Sequence, residues 1–489
     1  MIFNSVTFLL FLALVVSVWW ALPQRGRLWL ILVASLTFYG FWRWEFLGLM
    51  MVSATTDYAL SLGMPGASPG RRRLLLVASV VVNLGLLFFF KYFYFFTGNA
   101  QAVLGLFGVA WSPPALEIVL PLGISFYTFQ TISYTVDVYR GNIVPERDFL
   151  RYACFVTYFP QLVAGPILRA GEILHQLETP RHWDPMDLAA GLRRILYGLF
   201  LKVVLADNLA PLVDAGFAEP AGLLGAWDVL TLGFVFGFQI YFDFSAYSHI
   251  AIGAALLMGI RFAENFHFPY LATSPRVFWQ RWHISLSSWI RDYLYLPLAG
   301  VTVRNSSRES RGGLSLIAPS GTDNRLHLHL ALLLTWTIMG LWHGANWTFV
   351  LWGVYHALVV LAYRLLTPYL PDWPAPWGPA AGWLVTLPVM MLGWIPFRAQ
   401  SVGDTITLYG RLFDPAAYLF LGLRENTYLV TALMLLAMVT TWLVRSRLRP
   451  WLDGRIRLRF AAETTLFAVA GILVFVFLRP INQFIYFQF

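Results

Sequence analysis

The sequence predicts an all-α polytopic membrane protein of about 11–12 transmembrane helices, with a re-entrant segment and an interfacial amphipathic helix. Three observations carry this. Hydrophobic residues make up 58% of the 489, and only 12% are charged, against roughly 25% in a soluble domain. The mean hydropathy is +0.64, so lipid has to replace water as the solvent for much of the chain. Aromatic residues reach 17%, as girdles at two membrane surfaces require.

Charge and cysteine content exclude other classes. Lys and Arg total 34 against 25 acidic residues, which by itself would suit a nucleic-acid partner. The basic residues, however, sit in short loops between apolar runs, the positive-inside pattern, so no nucleic acid is expected. Cys154 is the single cysteine. It excludes an intramolecular disulfide and a cysteine-based metal site, and its apolar setting suits a small packing residue.

Spans of roughly 20 apolar residues fall at about 5–22, 28–43, 46–63, 73–96, 116–138, 190–206, 228–256, 327–347, 349–367, 379–397, 428–444 and 463–478. No Lys or Arg precedes the first run, which argues for an uncleaved span rather than a secretory signal. Arg25 and Arg27 follow it, hold that turn in the cytoplasm and leave the N-terminus outside. Alternation then gives the cytoplasm Arg71–Arg73, Arg140/Arg147/Arg151, 261–325 and Arg445–Arg459. The stretch 207–228, with Asp207, Asp214, Glu219 and Asp228 and no cation, is expected outside.

Two segments depart from simple spans. Residues 152–168 are apolar but lie between Arg151 and Arg169 and contain Pro160, Gly165 and Pro166. Breakers within and cations at both ends predict a re-entrant element, with an ordinary span as the alternative. In 275–298, Phe278, Trp282, Leu286, Trp289 and Tyr293 recur at helical spacing, opposite Arg281, Ser285, Ser288 and Asp292. That pattern predicts an amphipathic helix along the cytoplasmic interface. The Ser-, Gly- and Arg-rich stretch 301–325 is expected to be a mobile cytoplasmic loop. There is no internal repeat and no soluble domain, so 1–489 is a single membrane-embedded domain.

Polar groups at membrane depth are costly and mark function. Leu-Trp-His-Gly-Ala-Asn-Trp, 341–347, sets His343 near a span end, with Met339 and Trp347 four residues away and small residues beside it. Enclosed by Trp336, Trp342 and Trp347, its imidazole suits a general base; a hydrogen-bonded core histidine is the other reading. His283 stands on the amphipathic segment, where a surface role is the bland alternative. Asp243 and Ser245 lie inside a long apolar run and should face the protein interior, in a hydrogen-bond network first and as substrate contacts second. His327 and His329 suit an interface, and His356 lacks the carboxylates a shared metal site needs, so no metal is expected. No Gly-x-Ser-x-Gly elbow or nucleotide-binding phosphate loop is present.

Several stretches together resemble the membrane-bound O-acyltransferase (MBOAT) family. They are Pro121-Leu-Gly-Ile-Ser-Phe-Tyr-Thr-Phe, Gln161-Leu-Val-Ala-Gly-Pro, Tyr241-Phe-Asp-Phe-Ser-Ala-Tyr, Phe278-Trp-Gln-Arg-Trp-His283-Ile-Ser-Leu-Ser-Ser-Trp-Ile-Arg-Asp-Tyr-Leu and Gly340-Leu-Trp-His343-Gly-Ala-Asn. They cover roughly 115–400, which the resemblance makes the catalytic core, followed by C-terminal transmembrane helices in 401–489. Gly393-Trp-Ile-Pro-Phe-Arg-Ala and the terminal Ile485-Tyr-Phe-Gln-Phe resemble the membrane subunit of bacterial alginate O-acetylation more than the D-alanyl-transfer branch. Ala246 stands where relatives often carry Gly, His249 where they often carry Asp, and the 301–325 loop is long.

The resemblance implies a multi-pass protein of the bacterial inner membrane. In it an acyl group, acetyl from acetyl-CoA, passes from the cytoplasmic side to a polysaccharide hydroxyl or to a periplasmic acetyltransferase partner. It implies His343 as the catalytic residue and His283 as a second polar position in the same channel. Arg281 and Arg291 are candidates for the donor's phosphates, with Asp243, Ser245, Trp342 and Asn346 as further substrate-binding candidates. No bound cofactor is expected. Two competing readings remain: D-alanyl transfer from a carrier protein to teichoic acid, and a transporter without bond chemistry, which 152–168 and Asp243 would suit.

Overall fold

The structure, a computed structural model, describes residues 1–162, 165–305, 314–317, 325–369 and 377–478. The first helices are α1 (Val6–Ala21), α2 (Gln24–Arg43) and α3 (Leu47–Leu62). Next, α4 (Pro69–Leu87) runs through a π turn, Phe88–Tyr92, into α5 (Phe93–Leu106). Then come α6 (Ile124–Arg140), the short α7 (Phe149–Thr157), α8 (Phe159–Leu162) and α9 (Ala170–Glu178). Helix α10 (Pro185–Leu199) continues through a second π turn, Phe200–Ala206, into α11 (Asp207–Ala218). The central helix is α12 (Ala226–Leu257). It is followed by α13 (Pro275–Trp279), α14 (Ile284–Ile290), a π turn at Arg291–Tyr295 and α15 (Leu296–Leu298). The chain ends in α16 (Arg325–His343), α17 (Trp347–Leu366), α18 (Trp377–Leu392), α19 (Trp394–Arg398), α20 (Val402–Arg411), α21 (Glu425–Leu443), α22 (Arg449–Asp453) and α23 (Ile456–Phe477).

The all-helical, multi-pass expectation holds. Among the described residues eight helices are long and apolar enough to cross a bilayer, beginning with Pro69–Leu106 and ending with Ile456–Phe477. The other expected spans form α1, α2, α3 and α6. Helix α6 keeps its polar residues inside: Ser125, Thr128, Gln130, Thr131, Ser133 and Thr135 are all buried. Its neighbours supply the partners. Asp57 of α3 accepts from Ser79 Oγ at 2.6 Å and Asn83 Nδ2 at 2.7 Å on α4, while Thr131 Oγ1 of α6 donates to Asn83 Oδ1 at 3.2 Å. Such interhelical bonds hold helices together where water is absent.

Four boundaries differ from the expectation. The helix expected over 190–206 extends to Ala218, so Asp207 and Asp214 ride on a helix rather than in an external loop. Residues 116–123 are not helical, so α6 covers only the later part of the expected 116–138 span. The 152–168 segment is two buried pieces, α7 and α8, meeting at Tyr158 ahead of Pro160; residues 163–164 and the terminal 485–489 motif lie outside the described residues. In 301–325 the described residues form an antiparallel ribbon, β1 (Thr302–Asn305) with β2 (Leu314–Ile317), pairing Thr302 with Ile317, rather than an open loop. Residues 306–313 and 318–324 lie outside the described ones.

Two glycine contacts bring the site's helices together. Gly191 of α10 faces Gly253 of α12 so closely that an added Cβ would stand 3.0 Å from the Gly253 carbonyl oxygen. Gly340 of α16 and Gly353 of α17 cross likewise: a Cβ on either would run into the carbonyl oxygen of Phe349 or Trp336 respectively. Small residues at crossings allow this backbone contact. Substituting Gly340 with Ala should therefore separate α16 from α17 and destabilise the fold by about 1–3 kcal/mol. Thermal unfolding in detergent checks this against Gly48→Ala, whose added methyl meets open space and should leave the midpoint unchanged.

Candidate active site

Helix α16 stops at His343 because Gly344-Ala345-Asn346 leads into a new helix. Asn346 adopts an extended conformation, and its side chain accepts from Thr348 N at 3.1 Å, capping α17. His343 is thus fixed at a helix end and buried, 5% exposed. Its Nδ1 lies 2.7 Å from the carbonyl oxygen of Met339, one turn back. A carbonyl only accepts, so Nδ1 carries the proton and Nε2 presents the basic lone pair. The ring is enclosed by Trp342 (4.9 Å between centroids), Trp352 (4.7 Å) and Phe397 (5.4 Å). Trp336 and Trp347, expected around it, serve elsewhere: Trp336 packs on Trp279 and His356, and Trp347 begins α17.

His283 is reached by a different route. The segment expected to be one interfacial helix breaks between α13 and α14, and His283 takes a left-handed φ of 42° at the break. A non-glycine residue there is uncommon and points toward function. The apolar stripe itself is present, but Phe278, Trp282, Leu286 and Trp289 pack inside the protein, so the segment does not lie along the interface as a single helix. His283 is 1% exposed. Asn265 Nδ2 donates to Ser248 at 3.0 Å, while Asn265 Oδ1 accepts from the Ser285 hydroxyl at 2.9 Å. The same oxygen stands 3.1 Å from His283 Nδ1, which must therefore be the donor. His283 Nε2 has no hydrogen-bond partner among the described residues.

Both imidazoles thus present the same nitrogen, and they interact electrostatically. Between them stands an aromatic wall: Trp282 against Trp394 (4.8 Å), Trp394 against Phe397 (5.6 Å), and Phe397 against His343. Imidazoles buried in this way suit proton transfer to or from a hydroxyl.

Residues 145–313 match the profile of the membrane-bound O-acyltransferase family. The chain is 38% identical over 448 residues to a probable alginate O-acetylase, AlgI, of Azotobacter vinelandii, covering 90% of this chain and 84% of the relative. The chain belongs to the membrane-bound O-acyltransferase family. It is also 34% identical over 415 residues to a peptidoglycan O-acetyltransferase of Helicobacter pylori (78% and 73% covered). To a teichoic acid D-alanyltransferase of Streptococcus thermophilus it is 28% identical over 242 residues (48% and 55%). It is therefore an O-acyltransferase, which sets the transporter reading aside.

The remaining candidate residues of this O-acyltransferase are spoken for by packing. Trp342 stacks on Phe129 at 5.1 Å, and Phe129 in turn on Trp289 at 3.9 Å. Arg281 donates to the Leu271 carbonyl at 3.3 Å. Arg291 forks Asp292 at 2.6 and 3.2 Å. Arg169, which the sequence gave no reason to choose, joins the same carboxylate at 2.8 Å. Arg140 and Arg169 both lie over the Tyr293 ring, so three guanidinium groups surround one buried acid. His249 Nδ1 accepts from Arg194 at 3.1 Å.

Two residues of the interior were missed. His356 is fully buried among Trp279, Trp336 and Trp352, and neither ring nitrogen has a partner among the described residues. Lys202, on the π turn after α10, pairs with Asp243 at 2.8 Å and Asp207 at 2.9 Å. Its spacing to Asp243 across two helices leaves no sequence signal. Ser245 Oγ is buried without a partner among the described residues. Among the described residues no group of three or more His, Cys, Asp or Glu is placed to hold a metal.

Replacing Lys202 by Met would leave two carboxylates facing each other away from water. Breaking a buried pair this way typically costs about 3–5 kcal/mol. The unfolding midpoint of Lys202→Met should fall well below that of Lys202→Met/Asp243→Leu, which removes one stranded charge along with the cation; equal midpoints would refute the pairing.

Proposed function

We propose that this enzyme moves an acetyl group from acetyl-CoA on the cytoplasmic side to a hydroxyl of an exported polysaccharide such as alginate, directly or through a periplasmic acetyltransferase partner. The single observation that carries the reading is the Nδ1–H of His343 donating to Met339 O, which leaves a buried basic Nε2 at a helix end. Nε2 takes the hydroxyl proton as the oxygen attacks the thioester carbonyl; the C–S bond breaks, and the thiolate leaves with that proton from the imidazolium. A transient acyl group on His343 itself is the variant in which the same nitrogen acts as nucleophile.

His283 has the complementary task. With Nδ1–H given to Asn265, its Nε2 accepts rather than donates, so it suits orienting a substrate N–H or O–H better than polarising the thioester carbonyl. Phe244 packs on its ring at 4.5 Å, and the flanking Asp243, held by Lys202, and Ser245 are the candidates on that helix for substrate contact. Arg291 and Arg169, both paired with Asp292, are the guanidinium groups that could turn to the donor's phosphates. The similarity to a probable alginate O-acetylase and to a peptidoglycan O-acetyltransferase supports a glycan acceptor. The basic loops support a bacterial inner-membrane protein with its N-terminus outside.

His343→Ala in a folded protein should lower acetyl transfer by about 10²–10⁴-fold. Label transfer from radiolabelled acetyl-CoA by protein in nanodiscs, with candidate polysaccharides and a neighbouring-gene partner, measures it. Full transfer by the variant would refute the role of His343. Transfer from a D-alanyl carrier thioester but not from acetyl-CoA would move the donor to the carrier-protein branch.

A further inference from the structure

Helix α16 ends at its most important residue, and a helix end leaves its last carbonyls without intrahelical donors. Water cannot serve them in a bilayer interior. The donor comes from another helix: Lys91 Nζ lies 2.7 Å from the carbonyl oxygen of Trp342 and 3.1 Å from that of His343. Lys91 is the one charged residue between Arg73 and Glu117, so its place in an apolar helix calls for an explanation. Among the described residues no carboxylate pairs with it. It sits on the π turn Phe88–Tyr92, a departure from regular helix that recurs at functional sites. A cation against the C-terminal carbonyls also answers the negative end of the α16 dipole.

Lys91 does not act alone. Residues 91, 95 and 99 are spaced four apart and lie along one helical face. Phe95 packs against the Trp347 ring at 5.5 Å, and Asn99 Oδ1 accepts from Trp347 Nε1 at 2.8 Å. One face of the α4–α5 helix therefore grips both ends of the turn 343–347: Lys91 the end of α16, Phe95 and Asn99 the start of α17.

We propose that Lys91 is a positioning residue for His343, fixing the imidazole by clamping the backbone carbonyls of Trp342 and His343 from a separate membrane helix. The proposal rests on the reading of His343 as the proton-transferring group. It assigns Lys91 no contact with substrate. A displacement of about 1 Å at a reacting group can lower a rate about 10²-fold.

The test uses full-length protein in nanodiscs, comparing wild type, Lys91→Met, Lys91→Arg, Asn99→Leu and His343→Ala. Acetyl transfer from radiolabelled acetyl-CoA gives kcat and KM, and amide hydrogen exchange reports on 341–347. Lys91→Met should lose about 10²-fold in kcat with KM for acetyl-CoA unchanged, and exchange should quicken at 341–347 but not in α12. Lys91→Arg, which restores donors and charge, should recover most of both. Wild-type kcat and wild-type exchange in Lys91→Met would overturn the proposal. If Lys91→Met does not fold, unchanged kcat and unchanged exchange at 341–347 in Asn99→Leu, which loosens the other end of the same clamp, overturn it instead. Full activity in His343→Ala overturns the reading beneath it, and the exchange result then decides the clamp separately.

Discussion

A polar group at membrane depth can draw a partner only from the chain itself, because the surrounding hydrocarbon offers none. That constraint shapes the site more than any single residue does. His343 turns one nitrogen to its own helix, and His283 turns one to Asn265. Lys202 is shared by two carboxylates, and Asp57 is held by Ser79 and Asn83. In each case the partner is supplied by backbone, by a neighbouring helix or, for His283, by the segment that follows α12, so these elements cannot shift without stranding a polar group. Rigidity around the chemistry follows from the same requirement that lets the chain exist in a membrane.

The requirement also selects which atom of each histidine is left for chemistry. A carbonyl or an amide oxygen accepts only, so the nitrogen facing it must be protonated and the opposite nitrogen must be the base. Both histidines reach this arrangement by unrelated local structures, a helix end for His343 and a left-handed break for His283. On the proposed reaction, neither imidazole would offer an N–H to the thioester carbonyl in the resting state, and the charge developing on that oxygen would be met by the imidazolium formed when His343 takes up the proton.

Much of this was legible from residue order. Apolar run length located most helices, although the span expected over 327–347 ran past the turn at Gly344–Asn346 that ends α16 at His343. What stayed hidden depends on contacts between distant positions. Nothing in the residue order links Lys91 to His343, because its partners are backbone carbonyls some 250 residues away. Lys202 likewise meets Asp243 only across two helices. The break at His283 has neither Gly nor Pro to announce it; Gln280-Arg-Trp-His283 reads as helix, and the backbone is bent by burial of the flanking tryptophans together with the Asn265 contact. His356 was discounted for want of metal-binding partners, whereas its place among Trp279, Trp336 and Trp352 owes nothing to a metal.

The glycine crossing of α16 and α17 connects these points. Close approach of Gly340 and Gly353 lets α17 bring Trp352 and His356 to the face of α16 that carries His343. A wider crossing would admit lipid or water between the helices and raise the local dielectric, weakening every interaction on which the two tautomers depend. Backbone contact, aromatic enclosure and histidine orientation are therefore one arrangement seen at three scales.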